Sequence, residues 1–391
     1  MSDLSLILCG NFHNFSVGLH IKVEVYLNIL HVYRTCYPIT NGGVEQVIRY
    51  LSKGAIELKH NVKILSLSDV DDVLDFEGSK IHLCKRNFSI KSNCFSFSFY
   101  KEFKKLSDWA DIINLHYPWP SGDLVSLLTD KPIVVTYHSD ILRQKFLGLI
   151  YKPLEKYTLS KSKKVIATSQ NYLNSSSNLQ KHLNKVEVIP LGINFEDYNS
   201  VEEDIMLKIT QKYGKDFFLF LGVLRYYKGL DYLLEAAKDN HLPVVIAGSG
   251  PEEAKLKQYV AKHDLVNVKF AGFVSDDEKI ALLSNCKGLV FPSHLRTEAF
   301  GVSIIEALYF GVPVISCDIS TGTSYVNKNN ETGYVIPPQD SEALSQAMIK
   351  LNNSMDYDNM SNNCHRRALD FFEYRRMSLS YIDLYEGLLG Q

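Results

Sequence analysis

Short apolar runs alternate with helix-like segments along almost all of this chain, and they form two separate series. The first series has apolar runs at 28–33, 62–67, 80–84, 111–115, 132–137, 164–167 and 186–190, and the second at 217–222, 244–247, 268–273, 288–292 and 312–316. Alternation of this kind predicts parallel sheets with helices on both faces. The chain is therefore predicted to be an α/β protein with two parallel-sheet domains.

The boundary between the two series is a polar, acidic segment at 196–204, which we predict to be the hinge. With 391 residues, the chain is long enough for two domains that each have a core. We expect an N-terminal domain at 28–197 and a C-terminal domain at 198–375. The periodic pattern begins only near Asn28, so residues 1–27 are predicted to be an extension, and the residues leave open whether it belongs to the natural protein.

Composition and charge narrow the classes of function. Hydrophobic residues make up 46% and charged residues 22%, which is ordinary for a globular protein. The net charge is −2 and no concentrated basic stripe is present, which argues against a nucleic acid partner. Seven cysteines without close paired spacing favour reduced thiols and a cytoplasmic location. No apolar run reaches the roughly 20 residues that span a bilayer, so any contact with the inner membrane face would be peripheral.

The segment 293–306, between the apolar runs at 288–292 and 312–316, has the strongest functional signal. It is predicted to leave the carboxyl end of a strand, turn at Gly301 and enter a helix, where free N–H groups favour an anion. Glu298 and Glu306 bracket this turn. A structural alternative is a capping box from Ser303 to Glu306, which would limit the helix to 304–310.

Two other turns have the same character. Gly42 and Gly43 follow the first apolar run and precede a helix that is predicted to bury Val47, Ile48, Leu51 and Ala55. Arg225 and Lys228 follow the run at 217–222 and suit a diphosphate. The alternatives are a glycine pair that only turns the chain and a basic turn that only faces water.

Two phosphate-binding turns that face one cleft suggest a nucleoside diphosphate compound as the ligand. Glu306 would then be available for ribose hydroxyls, and Glu298 for hydroxyls on the group that the diphosphate carries. These roles match a sugar nucleotide. His138 ends the run at 132–137, where a side chain is expected to point into the ligand cleft, although a lone histidine is more often a packing or capping residue.

Several ordered motifs together resemble the family 4 retaining glycosyltransferases of GT-B fold. They lie at 42–45 (Gly-Gly-Val-Glu), 138–140 (His-Ser-Asp), 228–229 (Lys-Gly) and 248–251 (Gly-Ser-Gly-Pro), followed by Glu298 and Glu306 with seven residues between them. The resemblance runs from about Asn28 to the C-terminus. It implies two Rossmann-like domains facing across a cleft, with the nucleotide in the C-terminal domain and the acceptor mainly in the N-terminal domain. It also implies that the final helix, 376–391, returns to the N-terminal domain.

The resemblance also assigns roles to residues. Glu306 would hold the ribose, Glu298 the sugar near the reacting centre, and Gly250 would lie close to the base. The backbone at 300–302 (Phe300, Gly301, Val302) would meet the diphosphate and sugar, and His138 would line the catalytic pocket. The family usually has an arginine five residues before the lysine, where this chain has Val223, so the role passes to Arg225.

The implied reaction needs no metal and no cofactor. Arg225, Lys228 and the helix start would stabilise the departing diphosphate, and the acceptor hydroxyl would attack from the same face. Finer similarity favours mannosyl- and rhamnosyltransferases of surface polysaccharide (O-antigen, lipopolysaccharide) assembly, with GDP-mannose as donor and a lipid-linked oligosaccharide as acceptor. The segment 101–109 is a candidate membrane contact, although a solvated amphipathic helix is the favoured interpretation. A sugar-nucleotide epimerase and a non-catalytic glycan-binding relative remain as alternatives.

Overall fold

A computed structural model describes residues 26–90, 93–141, 145–198 and 201–390 of the chain. The predicted extension at 1–27 lies outside the described residues except for its last two.

The N-terminal domain is built on an eight-stranded sheet. Its strands are β1 (Asn28–Val32), β2 (Asn61–Ser68), β3 (Asp72–Phe76), β4 (Ser79–Lys85), β7 (Ile112–Tyr117), β8 (Ile133–Tyr137), β9 (Lys164–Ala167) and β10 (Val186–Val188), and β5 (Phe88–Ile90) and β6 (Asn93–Phe95) form a separate hairpin. The order is β10-β9-β8-β7-β1-β2-β4-β3, and all neighbours are parallel except β3 and β4. The apolar runs locate the parallel strands, whereas β3 is a largely exposed edge strand without an apolar run.

The helices of this domain are α1 (Gly43–Glu57), α2 (Phe97–Trp109), α3 (Lys145–Lys161), α4 (Gln170–Ser175) and α5 (Ser177–Gln180), with 3-10 turns at Gly122–Leu127, Leu183–Lys185 and Phe195–Tyr198. Helix α1 buries Val47, Ile48, Leu51 and Ala55, as the spacing predicts. The predicted hinge at 196–204 contains part of the last 3-10 turn and the start of the next helix, and its residues 199 and 200 lie outside the described chain.

The C-terminal domain has a six-stranded parallel sheet of β11 (Phe217–Leu221), β12 (Val244–Ala247), β13 (Val268–Gly272), β14 (Cys286–Phe291), β15 (Val314–Cys317) and β16 (Gly333–Ile336), in the order β13-β12-β11-β14-β15-β16. Its helices are α6 (Glu203–Tyr213), α7 (Leu230–Asn240), α8 (Glu253–Lys262), α9 (Asp276–Asn285), α10 (Val302–Tyr309), α11 (Thr323–Val326), α12 (Ser341–Asn352), α13 (Tyr357–Phe371) and α14 (Tyr374–Leu389), with a 3-10 turn at Tyr226–Lys228.

Strand order places the candidate site residues at equivalent points of the two sheets. Strand β1 lies between β7 and β2, and β11 lies between β12 and β14, so the order reverses at each of them. Ligands of open α/β sheets bind beyond the carboxyl ends of the strands at such reversals. The Gly42-Gly43 turn follows β1, and the Arg225–Lys228 turn follows β11.

The chain passes between the domains twice, and the two passages are hydrogen-bonded to each other. The N–H of Ile193 donates to the Phe372 carbonyl (2.8 Å), and the N–H of Tyr374 donates to the Ile193 carbonyl (3.0 Å). A Cβ at Gly192 would lie 2.8 Å from the Glu373 carbonyl oxygen, so glycine permits this close approach. Helix α14 then packs on the N-terminal domain, where Ser378 donates to the Tyr50 carbonyl (3.2 Å).

Among the helices that the structure describes, none combines the length and the apolar character needed to cross a bilayer.

Candidate active site

The loop from β14 to α10 ends in a helix start that side chains leave open. Gly301 is the residue before α10, its φ is +89°, and no side chain caps the helix. The capping box between Ser303 and Glu306 is absent, since the helix begins two residues earlier than that alternative requires, at Val302. The first N–H groups of α10 are therefore available to an anion. Phe300 is buried before this turn and packs at 6.2 Å against the Phe372 ring.

Lys228 and Glu298 form an ion pair beside that helix start. Their Nζ and Oε2 atoms are 2.5 Å apart, and both side chains are largely buried. Lys228 Nζ also lies 4.7 Å from the centre of the Phe291 ring, at the end of β14. A Cβ at Gly229 (φ +71°) would lie 2.0 Å from the Pro292 carbonyl oxygen, so only glycine lets the Lys228 turn pack this closely against the loop that carries Glu298.

Arg225 differs from Lys228 in its environment. It is exposed, and among the residues that the structure describes it has no ion pair. Val223, the position at which the family usually has an arginine, is also exposed. The β11 turn therefore presents a buried cation at Lys228 and a solvated one at Arg225.

The N-terminal domain places a second helix start opposite α10. A Cβ at Gly43, the first residue of α1, would lie 3.7 Å from Val302 Cγ2, the first residue of α10. Glu45 folds back over Gly42, where an added Cβ would lie 2.6 Å from its Oε2 atom. The first residues of α1 and α10 therefore lie side by side, so the two helix starts meet where the domains face each other.

Glu306 is held by two residues that sequence reasoning missed. The Tyr198 hydroxyl donates to Glu306 Oε1 (2.7 Å), and Lys279 Nζ lies 3.0 Å from the same oxygen. Burial lowers the pKa of Lys279, but Glu306 and Asp276 outweigh burial and leave it above its ordinary value. The sequence carries no local signal for this cluster, because Tyr198 follows the first domain and Lys279 lies on α9.

His138 lies at the carboxyl end of β8 and is only 7% exposed. Its Nε2 atom is 3.0 Å from Nδ1 of His116, on the neighbouring strand β7. Burial lowers the pKa of His138 to about 3, so the ring is neutral near pH 7. The ring is therefore buried at the sheet edge, and its contact with a ligand in the cleft stays a prediction.

Asp140 joins the two domains. It accepts a hydrogen bond from Arg296 in the loop before α10 (3.2 Å), and others from Ser176 (2.7 Å) and Tyr137 (2.8 Å). Sequence reasoning used Arg296 only as part of a motif. Its hydrogen bond to Asp140 depends on the way the two domains face each other.

Gly250 brings the β12 turn against the β11 turn. A Cβ there would lie 2.5 Å from the Leu224 carbonyl oxygen and 2.6 Å from the Leu224 nitrogen. This contact places the 248–251 motif at the same sheet edge as Lys228. Within the described residues, no group of three or more His, Cys, Asp or Glu side chains could hold a metal ion.

Family models match both halves of the chain. The model described as "Glycosyltransferase Family 4" matches residues 41–197, and the model described as "Glycosyl transferases group 1" matches residues 201–368.

Two curated relatives are similar over most of their length. The O-antigen chain mannosyltransferase C of Escherichia coli is 41% identical over 368 residues, which cover 93% of this chain and 99% of that protein. The D-rhamnosyltransferase WbpZ of Pseudomonas aeruginosa is 43% identical over 326 residues, which cover 82% of this chain and 86% of that protein.

Solved structures share the two-domain fold. Sucrose-phosphate synthase of Thermosynechococcus elongatus matches with a TM-score of 0.79 and 19% identity, over 93% of this chain and 99% of that one. HepE of Anabaena in complex with UDP and glucose matches with a TM-score of 0.75 and 18% identity, over 92% of this chain and 99% of that one. At this level of identity, the likeness shows the GT-B fold alone.

Proposed function

Since the chain belongs to the group 1 and family 4 glycosyltransferases of GT-B fold, we propose that it is a retaining enzyme that transfers a hexose from a nucleoside diphosphate sugar to a hydroxyl of a lipid-linked glycan. The observation that carries this proposal is the close approach of the two helix starts, at Gly43 of α1 and Val302 of α10, together with the buried Lys228–Glu298 pair beside them.

The diphosphate is the part of the donor that these helix starts and Lys228 suit best. The first N–H groups of α10 and α1 favour an anion, and Lys228 adds a full positive charge in a largely buried setting. Charge develops on the diphosphate as the bond to the sugar breaks. Preorganised cations and amides therefore stabilise the transition state more than the ground state, with Arg225 as a second, solvated cation.

Glu298 is proposed to orient the sugar. Its carboxylate is held within 2.5 Å of Lys228, and Ser293 Oγ lies 3.4 Å from the same oxygen. These contacts leave the other oxygen, Oε1, for a sugar hydroxyl. Glu306 and the turn at Gly250 are proposed to hold the ribose and the base, and a ribose at Glu306 would share that carboxylate with Tyr198 and Lys279.

The acceptor hydroxyl is proposed to attack the donor sugar from the same face that the diphosphate leaves. This retains the α configuration. The departing diphosphate takes the acceptor's proton, because His138 has a pKa of about 3 and is a weak base at neutral pH. His138 acts as a neutral hydrogen-bond partner in this scheme. The mechanism uses Lys228 and Arg225 where other transferases use a divalent cation, so chelators are expected to leave the rate unchanged.

The sugar and acceptor are proposed from the relatives. A mannosyltransferase of O-antigen chains and a D-rhamnosyltransferase support a GDP-sugar, with GDP-mannose favoured, and an acceptor at the inner membrane face. Helix α2 is proposed to contact that membrane, since it exposes Lys101, Lys104 and Lys105 beside an exposed Phe97. We therefore propose a cytoplasmic enzyme with peripheral membrane contact.

The deciding experiment is a panel of GDP-, UDP- and dTDP-sugars scored by thermal stabilisation of the protein, followed by transfer assays with the donor that binds. A donor at 100 times its dissociation constant stabilises the fold by about 2.7 kcal/mol. We expect GDP-mannose to give the largest shift and the transfer product to keep the α configuration.

The same panel separates the alternatives. Conversion of the donor without any acceptor would identify an epimerase. Donor or glycan binding without nucleotide release, in the presence of both substrates, would identify a binding protein. An inverted product would contradict the retaining mechanism while leaving transferase activity in place.

A further inference from the structure

Three buried histidines form one hydrogen-bonded row that ends at the candidate active site. Nδ1 of His31 lies 3.1 Å from Nε2 of His116, and Nδ1 of His116 lies 3.0 Å from Nε2 of His138. The His116 and His138 rings are stacked, with centroids 5.3 Å apart and an interplanar angle of 17°. The exposed fractions fall from 7% at His138 to 2% at His116 and 1% at His31.

The row follows from the register of three neighbouring parallel strands. His31 on β1 pairs with Asn114 on β7, and His116 on β7 pairs with Thr136 on β8. Each histidine therefore stands two residues further toward the carboxyl edge than its predecessor. Since residues two apart in a strand share a face, all three rings lie on one face and rise step by step toward the cleft.

Polar groups of α14 lie on that same face, directly before the histidines. Asn114 donates to the Tyr385 hydroxyl (2.8 Å), Thr136 donates to Asn114 (2.9 Å), and the Thr136 and Tyr381 hydroxyls are 3.1 Å apart. Tyr33 meets the edge of the His116 ring at 6.2 Å. These neighbours are neutral hydroxyls and an amide, so no carboxylate or ammonium among them draws a charge onto the rings.

The rings are neutral near pH 7. Burial lowers the pKa of His31 and of His138 to about 3, and burial together with the two neighbouring histidines takes that of His116 well below its ordinary value. A neutral imidazole has one N–H donor and one bare nitrogen. In a row of three, the hydrogen bonds must therefore all run in the same direction. The nitrogen that carries the proton in His31 determines which nitrogen carries it in His116, and His116 determines it in His138 in the same way.

We propose that His31 and His116 are positioning residues that keep His138 in its Nδ1–H tautomer, so that it donates a hydrogen bond to the bound substrate. In this direction, His31 Nδ1–H donates to His116 and His116 Nδ1–H donates to His138 Nε2. Nδ1 is the His138 ring nitrogen that His116 does not engage. The identity of the substrate rests on the proposed function, whereas the tautomers do not.

A row of histidines is not needed to fill this space. Ile29 on β1, Ile112 on β7 and Val134 on β8 lie on the same face as the histidines, and they show that apolar side chains pack there with no exposure. Burying an imidazole is favourable only when its ring nitrogens find partners. A His31 that only packs would be replaceable by leucine, whereas one that sets a tautomer would be replaceable only by a residue that still donates.

The test compares His31→Leu with His31→Asn. The asparagine amide can stand near the former Nδ1 position and donate to His116, but leucine cannot donate. We expect His31→Leu to lower kcat about 5- to 10-fold, with the KM for the sugar donor within about twofold of wild type. His31→Asn should recover most of that loss. Equal kcat in the two variants, or full kcat in His31→Leu, would overturn the proposal.

A second measurement needs no variant and no substrate. Nitrogen-15 NMR of the histidine side chains in the full chain reports which ring nitrogen carries the proton. We expect the Nδ1–H tautomer for all three histidines, and a mixture at His138 in His31→Leu. An Nε2–H tautomer at wild-type His138 would reverse the direction and overturn the proposal. Loss of transfer with every donor, together with the expected tautomers, would instead overturn the proposed function.

Discussion

The two sheet edges that face each other across the cleft differ in charge. The C-terminal edge is built from charges, with the Lys228–Glu298 and Lys279–Glu306 pairs at 2.5 and 3.0 Å. The N-terminal edge presents the neutral rings of His31, His116 and His138, and its Asp140 carboxylate is paired with Arg296 of the other domain. The edge proposed to receive a dianionic leaving group thus carries lysine ammonium groups, whereas the edge proposed to receive a neutral hydroxyl presents the uncharged His138 ring.

The largest effect is expected from removing charge at the C-terminal edge. Lys228→Ala removes the buried cation beside the α10 start, and transfer should fall by about 10³-fold, the cost of losing one preorganised donor. The measurement is kcat with the preferred donor. Lys255→Ala is the matched control, because its pair with Asp231 is exposed on the same domain, and it should keep wild-type activity. A Lys228→Ala enzyme within tenfold of wild type would end the claim that this edge works by charge.

The second effect concerns stability at the same edge. Glu306→Gln removes the buried carboxylate from Lys279, which keeps its ion pair with the more exposed Asp276 (2.9 Å), and the free energy of unfolding should fall by about 2 kcal/mol. The double variant Lys279→Met with Glu306→Leu removes both charges and should regain most of this loss, as measured by urea unfolding. Donor affinity should remain weak in both variants. Restored donor affinity in the double variant would mean that Glu306 does not hold the ribose.

The third effect tests the neutral edge by pH. His31 is neutral when folded, with a pKa of about 3, but takes up a proton below pH 6.5 when unfolded. The unfolded state therefore binds more protons, and stability falls as the pH drops below 6.5. Between pH 7 and pH 5, wild type should lose about 2 kcal/mol more than His31→Leu. Asp123 is present in both proteins, so its contribution cancels in this difference. Burial raises the pKa of Asp123 to about 7, which makes stability rise as the pH falls, the opposite of the His31 effect. Equal losses in the two proteins would show that His31 is charged when folded.

The smallest effect is expected where the two edges meet. The Arg296–Asp140 pair is partly exposed, so Arg296→Gln should lower the free energy of unfolding by less than about 1 kcal/mol. Its effect should weaken further in 1 M salt, which screens exposed charges. A loss of several kcal/mol would show instead that this pair holds the domains together.

Much of the fold could be predicted from local pattern. The apolar runs locate the parallel strands other than β16, and α1 buries the four predicted positions. Strand β16 lies outside every predicted run although it is as long as β12 and β15, and β3 has no apolar run because it is mostly exposed. The alternative of a Ser303–Glu306 capping box is wrong, because α10 begins at Val302, directly after Gly301. Gly301 has a left-handed conformation, which hydrophobic periodicity does not indicate.

The candidate site could be predicted only as separate turns. Gly43, Lys228, Glu298 and Gly301 were each singled out from a strand end and a helix start. The sequence also places one histidine inside the apolar run at 28–33 and others directly after the runs at 111–115 and 132–137, but the pattern favours only the one at 138. Which strands are neighbours decides whether such histidines meet, and that order is not a local property.

The sequence alone determined the alternation of strands and helices and the chemistry at the ends of the strands, because both depend on residues close together in the chain. Tertiary structure decided the partners: Val302 for Gly43, Tyr198 and Lys279 for Glu306, and the row His31–His116–His138. These contacts join residues from about 20 to 260 positions apart. They depend on strand order and on how the two domains face each other, which no short-range pattern encodes.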